Sequence, residues 1–343
     1  MPQRVLIVKL GAIGDVCTVL PAARKLHESG ATIDWLCGKT VAPLLACYPW
    51  IRAIVVDEHA LHRSGKISAL WEILRVWTQL IGTSFDSCVV LQFDARYEVL
   101  VYPVRARRKV RLHRENRSLN LVSERHHSAE YFRILCDRPD GFTAETFAPV
   151  KPDRLPDNPF PRTEKRRIAL VPGGARNLLN DSYQRRWPVP HYRQAARDLL
   201  DRGFEVVLTG GPDDRWVNEE FRELEVINQI GAWSLPETVA FYESCDCVVT
   251  HDTGPMHLAG LTSCGLVSIF GPTSPSKFTP RRNKVIALWG GAHLACRPCY
   301  DGRTFAACPS VECMKSVTVD HVLAAVDRIL TGPALDWSVN ETG

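Results

Sequence analysis

The sequence predicts an α/β protein of two doubly wound, Rossmann-like domains facing a central cleft, and three observations predict it. Apolar strand-like runs alternate with helical stretches through the first half. A proline-rich segment over residues 151–161 (KPDRLPDNPFP) then interrupts the pattern and has no apolar period of its own. Beyond it the same alternation restarts and continues almost to the end of the chain.

Taken in order, the first domain (residues 1–155) opens on the apolar run 5–8, then a helix over 15–29, a strand over 32–36, a short helix near 41–46 and a strand over 54–56. Ile67, Leu70, Leu74, Trp77 and Ile81 recur at spacings of three and four, which predicts an amphipathic helix over 67–81, and 88–93 reads as the next strand. The second domain (residues 162–317) has strands over 168–171, 206–209, 226–230, 247–250 and 266–270. Helices over 191–202, 216–224, 236–244 and 255–263 alternate with them. A terminal helix over 318–331 and a frayed tail over 332–343 complete the chain.

A chain of 343 residues with 45% hydrophobic content can bury cores of this size without external staples. The formal charge of +4 is small for the length, so no nucleic-acid partner is expected. The first apolar run is too short for a signal peptide, and no window matches the roughly 18 to 20 apolar residues of a membrane span. A cytoplasmic protein is the simplest expectation. Of twelve cysteines, several sit singly in apolar stretches (Cys17, Cys37, Cys88, Cys136, Cys264), as small core residues do.

Doubly wound sheets bind ligands outside the carboxyl ends of their strands, so motifs with chemistry should follow strands. Gly11-Ala12-Ile13-Gly14-Asp15 follows the first strand and opens a helix, but lacks the third glycine of a dinucleotide fingerprint. Asp15 falls in the first helical turn, where the dipole alone favours a carboxylate. Val171-Pro172-Gly173-Gly174-Ala175 follows the first strand of the second domain, and Arg185-Arg186-Trp187-Pro188 leads into its helix. Loop amides with a guanidinium suit a phosphate, and a solvated basic loop is the other reading. His251-Asp252-Thr253-Gly254-Pro255-Met256-His257 again follows a strand; Asp252 or Thr253 could cap the next helix or face the cleft. Phe270-Gly271-Pro272-Thr273-Ser274-Pro275 has the same placement.

These motifs, with Leu208-Thr209-Gly210-Gly211-Pro212-Asp213-Asp214 between them, resemble in order and spacing the ADP-heptose:lipopolysaccharide heptosyltransferases, glycosyltransferase family 9, over nearly the whole chain. The resemblance implies the GT-B fold, with acceptor bound by the first domain and nucleotide-sugar donor by the second. It implies inverting, metal-independent transfer of heptose from ADP-heptose to an acceptor hydroxyl in lipopolysaccharide core synthesis. Asp15 then matches the general base, and Arg185 stands where a lysine often contacts the donor diphosphate. Gly173, Gly174, Asp213, Asp252, Thr253, Gly254 and His257 match donor-binding positions, with Asp213 on the ribose. The sequence also lacks an Asp-x-Asp triplet, so cationic side chains rather than a metal would meet the leaving group.

Two features stand apart. Arg105, Arg107, Arg108, Lys109, Arg111, Arg114 and Arg117 form a basic cluster in the acceptor half. With Gly14, the arginines Arg105, Arg107 and Arg108 are candidates for an anionic, lipid-linked or glycan acceptor; an anionic membrane surface or plain solvation would suit the cluster too. The resemblance implies a cytoplasmic enzyme, and membrane contact through this cluster would make it peripheral at the inner face of the inner membrane. Cys296-x2-Cys299-x8-Cys308-x4-Cys313 has the spacing of a structural zinc or iron site, with four free thiols as the alternative. Two other functions remain: the same fold with a protein, other glycan or secondary-metabolite acceptor and another nucleotide sugar, or a catalytically silent nucleotide-sugar binder, against which Asp15 argues.

Overall fold

The computed structural model describes residues 3–62, 64–92, 95–112, 125–136, 148–176, 181–300, 304–332 and 336–342. The chain divides into two compact units. The first comprises Met1–Val122, His127–Thr146 and Pro152–Arg154, and the second Ser123–His126, Phe147–Lys151 and Leu155–Gly343.

The first unit runs β1 (Arg4–Val8), α1 (Ile13–Glu28), β2 (Thr32–Gly38), α2 (Ala42–Leu45), β3 (Ile51–Val56), α3 (Glu58–His62), α4 (Lys66–Leu80) and β4 (Ser84–Val90). A 3-10 turn (Ala95–Val101), β5 (Arg105–Arg111) and α5 (His127–Cys136) follow. All strands are parallel, in the order β3-β2-β1-β4-β5. Helices cover both faces of such a sheet, which is why Val5 to Val8 can be apolar without alternation and still be buried. The strand order reverses beside β1, so the loop that follows it, residues 9–12, opens at the topological switch point.

In the second unit the order is β6 (Arg167–Leu170), α6 (Val189–Asp201), β7 (Glu205–Leu208), a 3-10 turn (Pro212–Phe221), β8 (Ile227–Asn228), α7 (Leu235–Glu243) and β9 (Cys247–His251). Then come α8 (Gly254–Gly260), β10 (Gly265–Phe270), α9 (Pro275–Phe278), β11 (Val285–Gly290), α10 (Glu312–Lys315), α11 (Val319–Thr331) and β12 (Ser338–Thr342). The seven parallel strands lie in the order β12-β11-β10-β9-β6-β7-β8, so this switch point lies between β6 and β9. Its core is continuous from Ile168 and Leu170 through Trp187 and Tyr192 to Val322 and Ile329 of α11.

The proline-rich segment is tied to this second unit by Arg167, which is fully buried. Its guanidinium donates to the carbonyls of Phe160 and Pro161 at 3.1 and 2.7 Å and pairs with Glu205.

Two expectations from the sequence are corrected. Residues 338–342 are not a frayed tail: they form β12, the edge strand of the sheet, paired with β11 from Ile286↔Ser338 to Gly290↔Thr342. The helix expected near 216–224 is a 3-10 turn that begins at Pro212. The periodic stripe on α4 faces outward, because a second apolar stripe on the opposite face (Ile73, Val76, Leu80) takes the core side. The end of the run 88–93, and Arg114 and Arg117 of the basic cluster, lie outside the described residues.

Candidate functional site

Two loops flanking the β6/β9 switch point build the candidate site of the second unit. After β6, Gly173 and Gly174 make a turn that a side chain would obstruct: a Cβ on Gly173 would lie 2.5 Å from Asp214. Gly174 has φ of +88°, and a Cβ there would stand 3.4 Å from Thr253 on the neighbouring loop. Asp214 pins the arrangement, accepting from the Gly174 amide at 2.7 Å and from the Gly211 amide at 2.8 Å. One buried carboxylate thus fixes the glycine turns that follow both β6 and β7. Asp213, the expected ribose contact, is its exposed neighbour.

The loop after β9 is equally constrained. Asp252, 3% exposed, accepts from Thr273 Oγ1 at 2.7 Å, which joins it to the loop after β10. Arg185 Nη1 lies 3.7 Å from the same carboxylate, and its guanidinium lies 5.7 Å from the Phe305 ring centroid. Arg186 instead is consumed by structure, bonding to the Gly174 carbonyl at 2.9 Å and pairing with Asp181. Several buried polar atoms have no hydrogen-bond partner among the described residues, and Thr253 Oγ1 and Arg185 Nε of these loops are among them. A buried hydroxyl and guanidinium N–H left unpaired cost free energy, and a phosphate-bearing ligand would satisfy both. Gly254 and His257 fall in the first turns of α8, with His257 buried.

Beneath these loops His251 ends β9 with no exposure. Burial pushes its pKa down to about 3, helped by the charges of Arg185 and Arg186, and the Tyr192 hydroxyl lies 3.0 Å from Nδ1. The imidazole is therefore neutral, a packed support rather than a proton carrier.

In the first unit Asp15 stands in the first turn of α1, next to Gly14. Lys9, at the end of β1 and only 2% exposed, holds the Asp15 carboxylate at 2.8 Å. Burial works against the charge on Lys9, yet its pKa is raised because Asp15 and Tyr131 favour the ammonium. The Asp15 side chain remains 37% exposed, so an anionic carboxylate is both anchored and open to solvent. Glu58 lies against this turn, its carboxyl oxygen 3.8 Å from where a Cβ on Gly11 would sit, and burial then the Asp57 charge raise its pKa. The α5 helix links two features: Tyr131 faces Lys9, and one turn on the Ile134 carbonyl accepts from Arg108 Nη2 at 3.0 Å. Arg105 and Arg107 are exposed on β5, with Arg107 3.4 Å from Asp86.

Comparison with known proteins decides the family of the chain. The family model described as glycosyltransferase family 9 (heptosyltransferase) matches residues 73–307. The chain belongs to glycosyltransferase family 9. Lipooligosaccharide heptosyltransferase 2 of Haemophilus influenzae is 37% identical over 111 residues, 30% of this chain and 32% of that protein. The chain thus spans about a third of the length of the first curated relatives it matches. Lipopolysaccharide core heptosyltransferase OpsX of the same organism is 23% identical over 308 residues, 82% of this chain and 83% of that one. The solved E. coli ADP-heptose lps heptosyltransferase II has the same fold, with a TM-score of 0.69 at 20% identity over 96% of this chain and 98% of that one. Two parallel-sheet α/β units of the GT-B class are therefore the architecture of this family 9 chain.

The matched interval of the family 9 chain contains the whole donor-side constellation, whereas Asp15 precedes it. Sequence reasoning singled out the strand-end loops and missed their fasteners. Lys9 was legible as the basic residue at the end of β1; Asp214 and Thr273 sat unassigned within quoted motifs.

The four cysteines of the expected structural zinc or iron site all fall between β11 and the end of α10. Burial and then the nearby thiols raise the pKa of Cys299 and of Cys313, and Cys313 is pushed up to about 11. Yet among the described residues no three His, Cys, Asp or Glu side chains converge as zinc or iron would require. Cys313 packs into the gap left by Gly271, while Cys296 is exposed.

Proposed function

We propose that this family 9 chain is an inverting glycosyltransferase that moves heptose from ADP-heptose to a hydroxyl of a lipid-linked lipopolysaccharide core acceptor. The observation that carries the reading is the pair of orphaned buried donors, Thr253 Oγ1 and Arg185 Nε, set around Gly173 and Gly174 at the switch point of the second unit. A nucleoside diphosphate supplies the anionic oxygens both lack. The names borne by the relatives supply the sugar and the acceptor class.

In the proposed step Asp15 accepts the proton of the acceptor hydroxyl as its oxygen bonds to the anomeric carbon. The bond from that carbon to the diphosphate oxygen breaks, and ADP departs with the electron pair. Arg185 meets the charge that develops on the diphosphate, in place of a metal. Lys9 positions Asp15. Asp213 on the ribose, and Asp252, Gly254 and His257 around phosphate and sugar, complete the donor site. With a lipid-linked acceptor, the enzyme works as a peripheral protein at the cytoplasmic face of a membrane; no described helix is long and apolar enough to cross one.

Nucleotide binding tests the donor assignment. ADP should raise the melting temperature more than UDP or GDP at equal concentration, and Arg185→Ala should weaken ADP binding by about ten-fold or more, the worth of a charge-assisted hydrogen bond. A preference for UDP or GDP would replace the donor, and an unchanged affinity in the variant would remove Arg185 from the site.

A further inference from the structure

The outward stripe of α4 has no role among the candidate site residues of either unit. Ile67 is 76% exposed, Leu70 56%, Trp71 70% and Leu74 39%, and Ile81 continues the line just past the helix. Solvent-facing apolar side chains scattered singly need no explanation, but an ordered run along one helix face marks a contact surface. The run continues onto the next elements. Trp77 donates to the Val99 carbonyl at 2.7 Å and stacks on Tyr102 with ring centroids 5.9 Å apart. Tyr102 is itself 78% exposed.

Charge next to this stripe is predominantly basic, with the acid Asp86 of β4 lying 3.4 Å from Arg107 of β5. The only acid of α4 is Glu72, which is buried and held by Arg75 and by the Asp57 amide at 2.7 Å. Three residues past Tyr102, Arg105 opens β5, whose Arg105, Arg107 and Lys109 are exposed. Glu98 is the only acid between Arg96 and Leu112, and it pairs with Arg111. An exposed apolar and aromatic strip beside a basic edge strand fits a surface that is apolar within and anionic at its rim.

We propose that the outer face of α4, with Tyr102 and the basic edge of β5, docks on a bilayer containing anionic phospholipid. Leu70, Trp71 and Leu74 enter the headgroup and acyl boundary while Arg105, Arg107 and Lys109 meet lipid phosphates. The idea deepens the lipid-linked acceptor reading by naming the surface that would bring the enzyme to its acceptor.

Vesicle flotation tests it without donor or acceptor. The full chain is mixed with phosphatidylcholine vesicles, with or without one third phosphatidylglycerol, and compared with a Leu70→Ser/Trp71→Ser double variant. ADP binding and melting temperature are followed on the same samples. The expected result is flotation with the anionic vesicles only, weakened by salt as screening requires, and reduced about ten-fold or more in the variant with ADP affinity unchanged. Absence of binding to anionic vesicles, or equal binding by the variant, overturns the docking surface. So does a concentration-dependent dimer that the variant abolishes while vesicles capture neither protein, since a second copy then covers α4. Failure of wild-type ADP binding would count against the donor reading instead, so the two failures are distinguishable.

Discussion

His251 shows how a single buried side chain ties the donor loops to stability. An imidazole in the unfolded chain titrates near its ordinary value of 6.5, whereas in the fold it titrates at about 3. Between those values the unfolded state holds a proton that the folded state lacks, so unfolding becomes easier as pH falls through that window. This contribution is fully present above about pH 6.5 and declines toward pH 3. A His251→Gln variant removes the titration, so its urea midpoint should fall less than that of wild type between about pH 7 and pH 5. Equal slopes for the two proteins would show that His251 is not held neutral. Residue-scale legibility was uneven for a physical reason. Asp213 and Asp214 are adjacent and chemically identical, and only the direction of the chain at the start of the 3-10 turn decides which enters the glycine loops. Asp252 could be read as a cap or as a site residue, and its place beside Thr273 and Arg185 depends on loops distant in sequence.

At the scale of elements, Arg167 is the clearest case of one side chain organising a segment. It satisfies the backbone of Phe160 and Pro161, lies over the Phe160 ring and neutralises Glu205. Arg167→Met would leave the Glu205 carboxylate, 8% exposed, with the Thr163 hydroxyl at 3.0 Å but no cation. Breaking a buried ion pair in this way costs about 3 to 5 kcal/mol, to be read as a drop in urea midpoint; a loss under about 1 kcal/mol would contradict the role given to Arg167. The strands were legible because parallel strands covered on both faces are unbroken apolar runs, and the turns because glycine and proline punctuate them. Helix orientation on α4 was not legible. Both of its faces are apolar, and Glu72, whose charge favours the outside, is buried because Arg75 and a backbone amide satisfy it. β12 was hidden for the opposite reason: Ser338-Val339-Asn340-Glu341-Thr342 has little apolar character, and its pairing with β11 comes from the edge of the sheet.

Across the whole molecule, the repeated α/β pattern and the order of its strand-end motifs made fold class and family legible in the sequence. The acceptor half was less so, since its basic cluster suits several anions and only the structure divides it into Arg108, bonded to α5, and the exposed Arg105, Arg107 and Lys109. In the proposed reaction the first unit supplies a base and the second a donor clamp, and that joint requirement is the central claim. The direct measurement is ADP release and heptose incorporation from purified ADP-heptose with a crude lipid acceptor extract, for wild type and Asp15→Ala side by side. The account predicts one ADP released per heptose transferred by wild type. In Asp15→Ala, turnover should fall by about 10²-fold or more, the scale of general-base catalysis, with ADP affinity within a few fold of wild type. Unchanged turnover in the variant, or no transfer by wild type from ADP-heptose, would contradict it.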